Sequence, residues 1–459
     1  MDACNRLRNK SKGYRMELGQ QIVSDREIVV RYHAGAAARE KATWGQTLIC
    51  DDIDSYGQGS SHFNIAGAIV LNPPIDVGAL LDVLEMMTVR HQSLRTNFEK
   101  TGTGWLQHVR GEGEFSVRVV EVSAVAEDRE SLVESLVSDL NRLPYDLLED
   151  HPVRFGAVTE RKSVVALGYS LCHSAVDGYG AQLFKRALNH ALQGKPDGAR
   201  SAGSGFQNAC EESAFQCSEE GKAVHERAMR HWKHALEQLP EKSVVAEEEE
   251  FYDLRLTSNR LAGNAQRIAK AQGISSANVF LAAAAQASLI ALADPIFSAQ
   301  VTVNNRFRPN IKKLIAPVSM EGLLLIDASH AKGFSHLLTE APPAALRCYL
   351  ASYFDKRAML EMAHEIEIAR GAEIDMSRWY NDIHHAEDRA SEPDGGEPVL
   401  AWQRSPNKPV DVSYAMGITG GPGSMSIVLT ANIRVIPRRS MEAFLMEIDS
   451  MLSAHAAHS

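Results

Sequence analysis

Apolar residues along the chain alternate between two spacings. Runs at 63–71, 105–109, 116–122, 153–158, 163–171, 296–303, 322–327, 411–416 and 426–435 are short and bounded by turn residues, so they predict strands. Between them apolar positions recur with helical period: Leu80, Leu81, Leu84 and Met87; Leu132, Val133, Leu136, Leu140 and Leu143; Leu183, Ala187, Leu188 and Ala191; Met441, Phe444, Leu445, Ile448 and Leu452. Asp76 stands where an N-cap belongs, Pro73-Pro74 closes the strand before it, and Pro144-Tyr145-Asp146 stops the second helix. Residues 275–293 are apolar on nearly every side, which predicts a helix buried on most faces, and 334–370 is mostly helical.

Strands and helices therefore alternate twice, on either side of a stretch rich in Gly, Ser, Ala, Gln and Glu. This predicts an α/β protein of two lobes with a cleft between them: a disordered tail at 1–25, an N-terminal lobe at 26–200, a linker at 201–222 and a C-terminal lobe at 223–459. The net charge of −10 speaks against a nucleic-acid binder, which needs a basic face for the phosphates. Six cysteines with no CxxC pair make no disulfide framework in a chain this long, so reduced thiols and a cytoplasmic location are expected. No run reaches the length of a membrane span, so no membrane partner is expected. His384-His385 has no carboxylate or Cys at ligand spacing, so no metal is expected either.

The chemistry concentrates at Tyr169 to Gly180. An apolar strand breaks at a small polar turn, Cys172-His173-Ser174-Ala175-Val176-Asp177-Gly178, and helical spacing resumes after it. The following helix offers free N–H groups and a positive dipole end, and a His beside them can take a proton while those amides meet developing negative charge. A His merely satisfied at a strand end and an Asp merely capping a helix fit the same letters. Cys172 beside His173 suggests a thiol nucleophile, but adjacent strand residues point to opposite faces, which disfavours a Cys–His dyad.

The order of motifs goes further. Arg90-His91-Gln92-Ser93-Leu94-Arg95-Thr96-Asn97-Phe98 resembles the RHxxLRTxF motif of nonribosomal peptide synthetase condensation domains, and Cys172 to Gly178 resembles their HHxxxDG motif, with Cys in the first His position. Trp232-Lys233 with Leu236 is similar to the family's YW segment, Asn305-Arg306 to its "ANR" turn, Ala316-Pro317-Val318 to the segment after it, and Thr43-Trp44-Gly45-Gln46 to a degenerate first motif. The resemblance spans about residues 40–455 and implies two chloramphenicol-acetyltransferase-like lobes in a V-shaped pseudo-dimer with a tunnel between them. It also implies an element crossing from the C-terminal lobe, for which 384–425 is the candidate. The chain shows no adenylation domain, carrier domain or phosphopantetheine-bearing Ser motif, so a free-standing, monomeric condensation enzyme is expected.

By the same resemblance His173 is the general base, and Gly178 supplies an oxyanion N–H at a position where a Cβ would crowd the backbone. Asp177 and Arg306 form a structural pair, so reversing both charges should restore part of the soluble yield lost in either single reversal. Cys172 is structural and marks a variant motif, while Arg90, His91, Arg95 and Asn305 support the site. The implied reaction needs no bound cofactor. It takes an acyl thioester on the phosphopantetheine of an acyl or peptidyl carrier protein, and the acceptor is an amine or alcohol. Direct use of acyl-CoA, with Lys312-Lys313 as a phosphate or carrier contact, and a silent carrier-binding module remain the alternatives.

Overall fold

The computed structural model describes residues 22–123, 129–195, 208–242, 250–383, 397–405, 412–421 and 424–457. Contacts divide the chain into two units, one of Met1–Lys222 with Arg306–Ser319, the other of Ala223–Asn305 with Met320–Ser459.

The first unit runs β1 (Ile22–His33), β2 (Ala38–Lys41), α1 (Trp44–Tyr56), β3 (Ile65–Asp76), α2 (Val77–Arg90), β4 (Thr96–Thr101), β5 (Gly104–Val109), β6 (Glu112–Val122), α3 (Arg129–Asn141), β7 (Val153–Glu160), β8 (Ser163–Leu171), α4 (Gly178–Leu192) and α5 (Ala209–Cys217). Its main sheet has the order β1-β6-β7-β8-β3, parallel at β6/β7 and antiparallel elsewhere, and β2-β5-β4 form a small second sheet. Helices cover both faces. Leu80 and Leu84 of α2 and Phe184 and Leu188 of α4 pack on Phe155, Leu167 and Tyr169, while Leu132 and Leu136 of α3 pack on Val120, Val158 and Ala166. β8 is consequently buried along nearly its whole length. That is why its sequence is a continuous apolar run and not an alternating one.

The second unit carries α6 (Glu219–Leu236), β9 (Phe251–Ser258), α7 (Leu261–Gln272), α8 (Ser276–Ala291), β10 (Ile296–Val303), β11 (Met320–Asp327), α9 (Phe334–Leu350), α10 (Lys356–Arg370), β12 (Arg378–Asp382), β13 (Val399–Arg404), β14 (Tyr414–Gly421), β15 (Ser424–Asn432) and α11 (Arg438–Ala456). Its sheet has the order β11-β10-β12-β14-β15-β9-β13. The Ala282–Ala285 run of α8 is fully buried. Small side chains there let neighbouring helices approach closely. Ser275 caps α8 by accepting from the Asn278 amide at 3.2 Å. Among the described residues no single helix is long and apolar enough to cross a membrane.

Three expectations change. The tail at 1–25 is cut short by β1, an edge strand whose residues are mostly exposed up to Val29, so no apolar alternation announced it; residues 1–21 lie outside the described residues. β3 does not end at Pro73-Pro74 but resumes at Ile75 and Asp76 after a register shift. Such prolines are tolerated because β3 is the sheet's other edge. The stretch read as a linker is helical from Ala209, started by a capping box between Asn208 and Glu211. Its polar residues Glu212, Ser213 and Gln216 are buried, so the composition marks buried polar contacts and not solvated chain.

Candidate functional site

β8 delivers the chain to the turn 172–177, and α4 begins directly after it. The Cys172 amide donates to Pro152 O at 2.9 Å and the Ala175 amide to Cys172 O at 2.9 Å, which folds the turn tightly. Cys172 packs among Leu48, Ile49 and Ile53 of α1 and Tyr145. Its Sγ lies 3.0 Å from Ser174 Oγ. Burial pushes the thiol up, against a smaller opposing pull from Ser174, so it stays protonated near neutral pH. A protonated thiol in an apolar cluster is no nucleophile. From Cys172 to Asp177 every residue is buried except His173, which is half-buried.

Asp177 is the hub. Its Oδ1 accepts from the Gly180 amide at 2.6 Å, capping α4, and from Arg306 Nη2 at 2.9 Å. Its Oδ2 accepts from Arg306 Nη1 at 2.9 Å, the Val318 amide at 2.9 Å, the Ser319 amide at 2.8 Å and Ser319 Oγ at 2.8 Å. Burial works to raise its pKa, but the Arg306 charge, the hydrogen bonds from Arg306 and the Val318 and Gly180 amides outweigh it, and the carboxyl sits below the usual range. Arg306 donates further to Leu314 O and to Ala316 O at 2.9 Å, and its guanidinium lies 5.1 Å from the Tyr179 ring centroid. The structure thus brings Asp177 and Arg306 together through two parallel hydrogen bonds, with both side chains almost fully buried.

Arg306–Ser319 is the part of the later chain that joins the first unit. It leaves from the end of β10 and returns at the start of β11. Further contacts seat it besides Asp177. Ser93 Oγ donates to Ile315 O at 2.6 Å, and Ile315 enters the core of the first unit. Arg308 pairs with buried Glu212 of α5 and lies 3.6 Å over the Phe215 ring. A Cβ on Gly45 would stand 2.5 Å from Pro317 O, so α1 packs directly against the segment's backbone. Thr43 and Gln46 form the capping box that starts α1 there. Arg306–Ser319 thus belongs to the first unit, although the chain before and after it belongs to the second. Of the range 384–425, 384–396, 406–411 and 422–423 lie outside the described residues, His384 and His385 among them, and β13, β14 and β15 pair within the second unit's sheet.

The supporting residues fall into place differently. Arg95 is buried and its Nη1 donates to Arg110 O at 2.6 Å; burial lowers its pKa. Arg90 ends α2 and His91 caps it, its amide donating to Met87 O at 3.0 Å. Asn305 adopts φ +54° in the second unit, where its Nδ2 donates to Ser352 O at 2.9 Å and its Oδ1 accepts from Ser352 Oγ at 2.6 Å. Gly178 is exposed at the first turn of α4, and a Cβ there would meet nothing within 4 Å, so the expected crowding is absent. The crowded position is Gly180, where a Cβ would lie 3.0 Å from Asp177 Oδ1 and 3.3 Å from Arg306 Nη2. Among the described residues no group of three His, Cys, Asp or Glu could hold a metal ion. Sequence reasoning missed Glu212 and Ser319 as parts of the site, and it singled out Gly45 and Gly180 without the close approaches they make. Glu212 alone carried a signal, an acid in an otherwise linker-like stretch.

The fold and the turn together are those of an α/β protein whose strand–turn–helix carries a half-buried His above a buried Asp–Arg pair. The chain belongs to the condensation-domain family, whose model matches residues 53–456. It is 24% identical over 189 residues to the nonribosomal peptide synthetase kk1B of Curvularia clavata, a match covering 40% of this chain and 1% of that protein. Cyclosporin synthetase simA of Tolypocladium inflatum is 25% identical over 189 residues, again 40% of this chain and 1% of the relative. Among solved structures, the condensation domain of chain release from the enacyloxin polyketide synthase superposes with TM-score 0.69 at 14% identity, covering 95% of this chain and 84% of that one. SgcC5 of Streptomyces globisporus superposes with TM-score 0.65 at 15% identity, covering 91% and 98%. The fold is thus the two-lobed, chloramphenicol-acetyltransferase-like fold of condensation domains.

Proposed function

We propose that the protein joins an acyl group, delivered as a thioester on a phosphopantetheine arm, to an amine or hydroxyl acceptor. One observation carries this reading: in the buried run Cys172 to Asp177, His173 alone is partly open. In the proposed step His173 takes the proton as the acceptor N or O attacks the thioester carbonyl. The exposed first turn of α4 at Gly178 offers an amide to the resulting oxyanion, aided by the helix dipole. The new C–N or C–O bond forms as the C–S bond breaks, and the proton passes from His173 to the departing thiolate. Asp177 takes no part in proton transfer on this account, because six hydrogen bonds occupy it.

The relatives lend support at the level of their class. The enacyloxin domain mediates chain release, SgcC5 was crystallised with a naphthyl ethanediol, and the starter condensation domain of rhizomide synthetase with C8-CoA. A diol in one relative and a CoA thioester in another keep the alcohol acceptor and the CoA donor as specific second readings. The test offers the purified protein acyl thioesters on carrier protein, CoA and pantetheine with pooled amines and alcohols, and reads products by mass. His173→Ala should lose about 10²–10⁴-fold of turnover. Turnover at the wild-type rate in that variant would sink the assignment.

A further inference from the structure

The second unit repeats, with different residues, the strand–turn–helix that carries His173. The sheet order β6-β7-β8-β3, parallel at its first pair and antiparallel after it, recurs as β12-β14-β15-β9. In the first unit the Cys172 amide donates to Pro152 O and the Ala175 amide to Cys172 O. In the second the Asn432 amide donates to Ser413 O at 3.2 Å and the Val435 amide to Asn432 O at 2.9 Å. Asn432 therefore stands in the place of Cys172. The step from Asn432 to Pro437 equals that from Cys172 to Asp177, and a helix begins directly after each, α11 after Pro437 and α4 after Asp177.

The two turns differ in chemistry. The Asp177 carboxylate caps α4, whereas Pro437 gives α11 no side-chain cap. A cavity of about 370 Å³ opens at this second turn, and every residue lining it belongs to the second unit. Pro437 at the start of α11 and Leu292 at the end of α8 both line it. So does Tyr414, which is 2% exposed and whose Oη makes no hydrogen bond among the described residues. Burial raises the pKa of this phenol against the pull of the Arg378 charge, so it stays protonated and can donate. Arg378 is shared by two carboxylates of the lining, Asp294 and Asp375. Lys242, also in the lining, pairs with Glu373 at 3.5 Å.

We propose that this cavity of the second unit binds a small zwitterion, a free α-amino acid, and that it does so independently of the acyl transfer. The ligand carboxylate takes at α11 the place that Asp177 fills at α4, and it accepts a hydrogen bond from Tyr414 Oη. The ligand ammonium faces Asp294 and Asp375. Three features support this. A buried hydroxyl without a partner is unfavourable, and an acceptor on a ligand removes that penalty. α8 ends at the cavity and α11 begins at it, so helix poles of opposite sign line one space. Two carboxylates share one guanidinium there, which leaves negative charge for an ammonium to meet. A simple anion would be opposed by those acids and a simple cation by the start of α11, whereas a molecule with both charges suits both. The volume is that of a pocket for one small molecule.

Thermal denaturation of the full chain would be followed with each of the protein amino acids in turn at millimolar concentration, since a ligand of the folded state raises the melting temperature. Titration calorimetry then gives the Kd of each amino acid that does so. The expected result is binding of at least one amino acid. Its methyl ester and its N-acetyl form, each lacking one of the two charges, should bind about tenfold or more weakly. Tyr414→Phe should weaken the amino acid about tenfold, yet melt no lower than wild type without ligand, because the hydroxyl has no bond to lose. Pro437→Asp places on α11 the carboxylate that Asp177 supplies to α4. It should raise the melting temperature of the ligand-free protein and abolish binding. No stabilisation by any amino acid, an ester that binds as tightly as its parent, or full affinity in Tyr414→Phe would each overturn the proposal. The readout is binding without turnover, so the site stands or falls apart from the reaction proposed for His173.

Discussion

Replacing Asp177 by Asn keeps the shape of the side chain and removes one charge. The carboxylate accepts six hydrogen bonds, four of them on Oδ2. An amide can present its oxygen to that side only by turning its NH₂ toward the Gly180 amide and Arg306 Nη2, two donors at 2.6 and 2.9 Å. Arg306, with its side chain 3% exposed, is then a buried cation without its counter-ion. Breaking one half of such a pair costs about 3–5 kcal/mol. For a unit of this size each kcal/mol moves the melting temperature by roughly 2–4 °C, so Asp177→Asn should melt about 6–20 °C lower by circular dichroism. Arg306→Met in the Asp177→Asn background removes the orphaned charge, so the double variant should lose less than the sum of the two singles. Reversing both charges, by contrast, should not rescue. An Arg at position 177 would face the Gly180, Val318 and Ser319 amides, all donors, with no acceptor for them. The structure in this way corrects the rescue expected from the pair alone. The pH dependence has a definite sign. The folded pKa of Asp177 lies below the ordinary 3.8, so its contribution is complete above that value and is lost as pH falls through the folded pKa. Wild type should therefore lose stability more steeply than Asp177→Asn below about pH 4. A melting point within about 2 °C of wild type at pH 7 would refute the account of Asp177 as the clasp.

Three further outcomes follow from named contacts. Gly45→Ala forces a Cβ to within 2.5 Å of Pro317 O, a backbone atom that cannot swing away, and should cost about 1–3 kcal/mol in denaturant unfolding. Gly178→Ala meets open space and should leave the unfolding midpoint unchanged. Native protein treated with an aromatic disulfide near pH 8 should react at exposed Cys217 while buried Cys50, Cys172 and Cys348 stay protected; fast labelling of Cys172 would contradict its burial and raised pKa.

The residues explain which parts of this architecture could be read in advance. β8 announced itself because both of its faces are buried, and α8 because its neighbours surround it; in each case burial writes a pattern that needs no partner to interpret. β1 wrote only a short pattern: its first half is exposed, and just Ile28, Val30 and Tyr32 turn inward between exposed Val29, Arg31 and His33. α5 wrote a misleading one. Glu212 and Gln216 look like solvated residues until Arg308 and the Trp44 amide are in view, and both lie far away in sequence. The pairing of Asp177 with Arg306 was legible only through the family resemblance, for 129 residues separate the two and nothing local links them. Ser319 was not legible at all, and of Gly180 only its place in the motif was, because the bonds both make exist only once a carboxylate stands between them.

The variant motif can be understood on the same grounds. Within the turn that follows β8, residues 172 and 173 differ in burial: Cys172 is buried and His173 half-buried. Cys172 meets α1 and Tyr145, whose hydroxyl donates to Ser170 O at 2.7 Å, and that pocket is apolar and closed. A larger, polar imidazole in that pocket would need a hydrogen-bond partner and more room, whereas a thiol fits with one contact to Ser174. The identity of residue 172 thus sets how α1 packs on the turn. Residue 173 is the half-buried one of the turn, while Asp177 and Arg306 and the Val318 amide hold the turn in place. Cys at position 172 therefore bears on the support of the turn and not on residue 173, the base proposed above. The six hydrogen bonds to Asp177 hold the turn whether or not the protein is an enzyme, so the proposed reaction rests on the half-buried His173 and is decided by the His173→Ala assay.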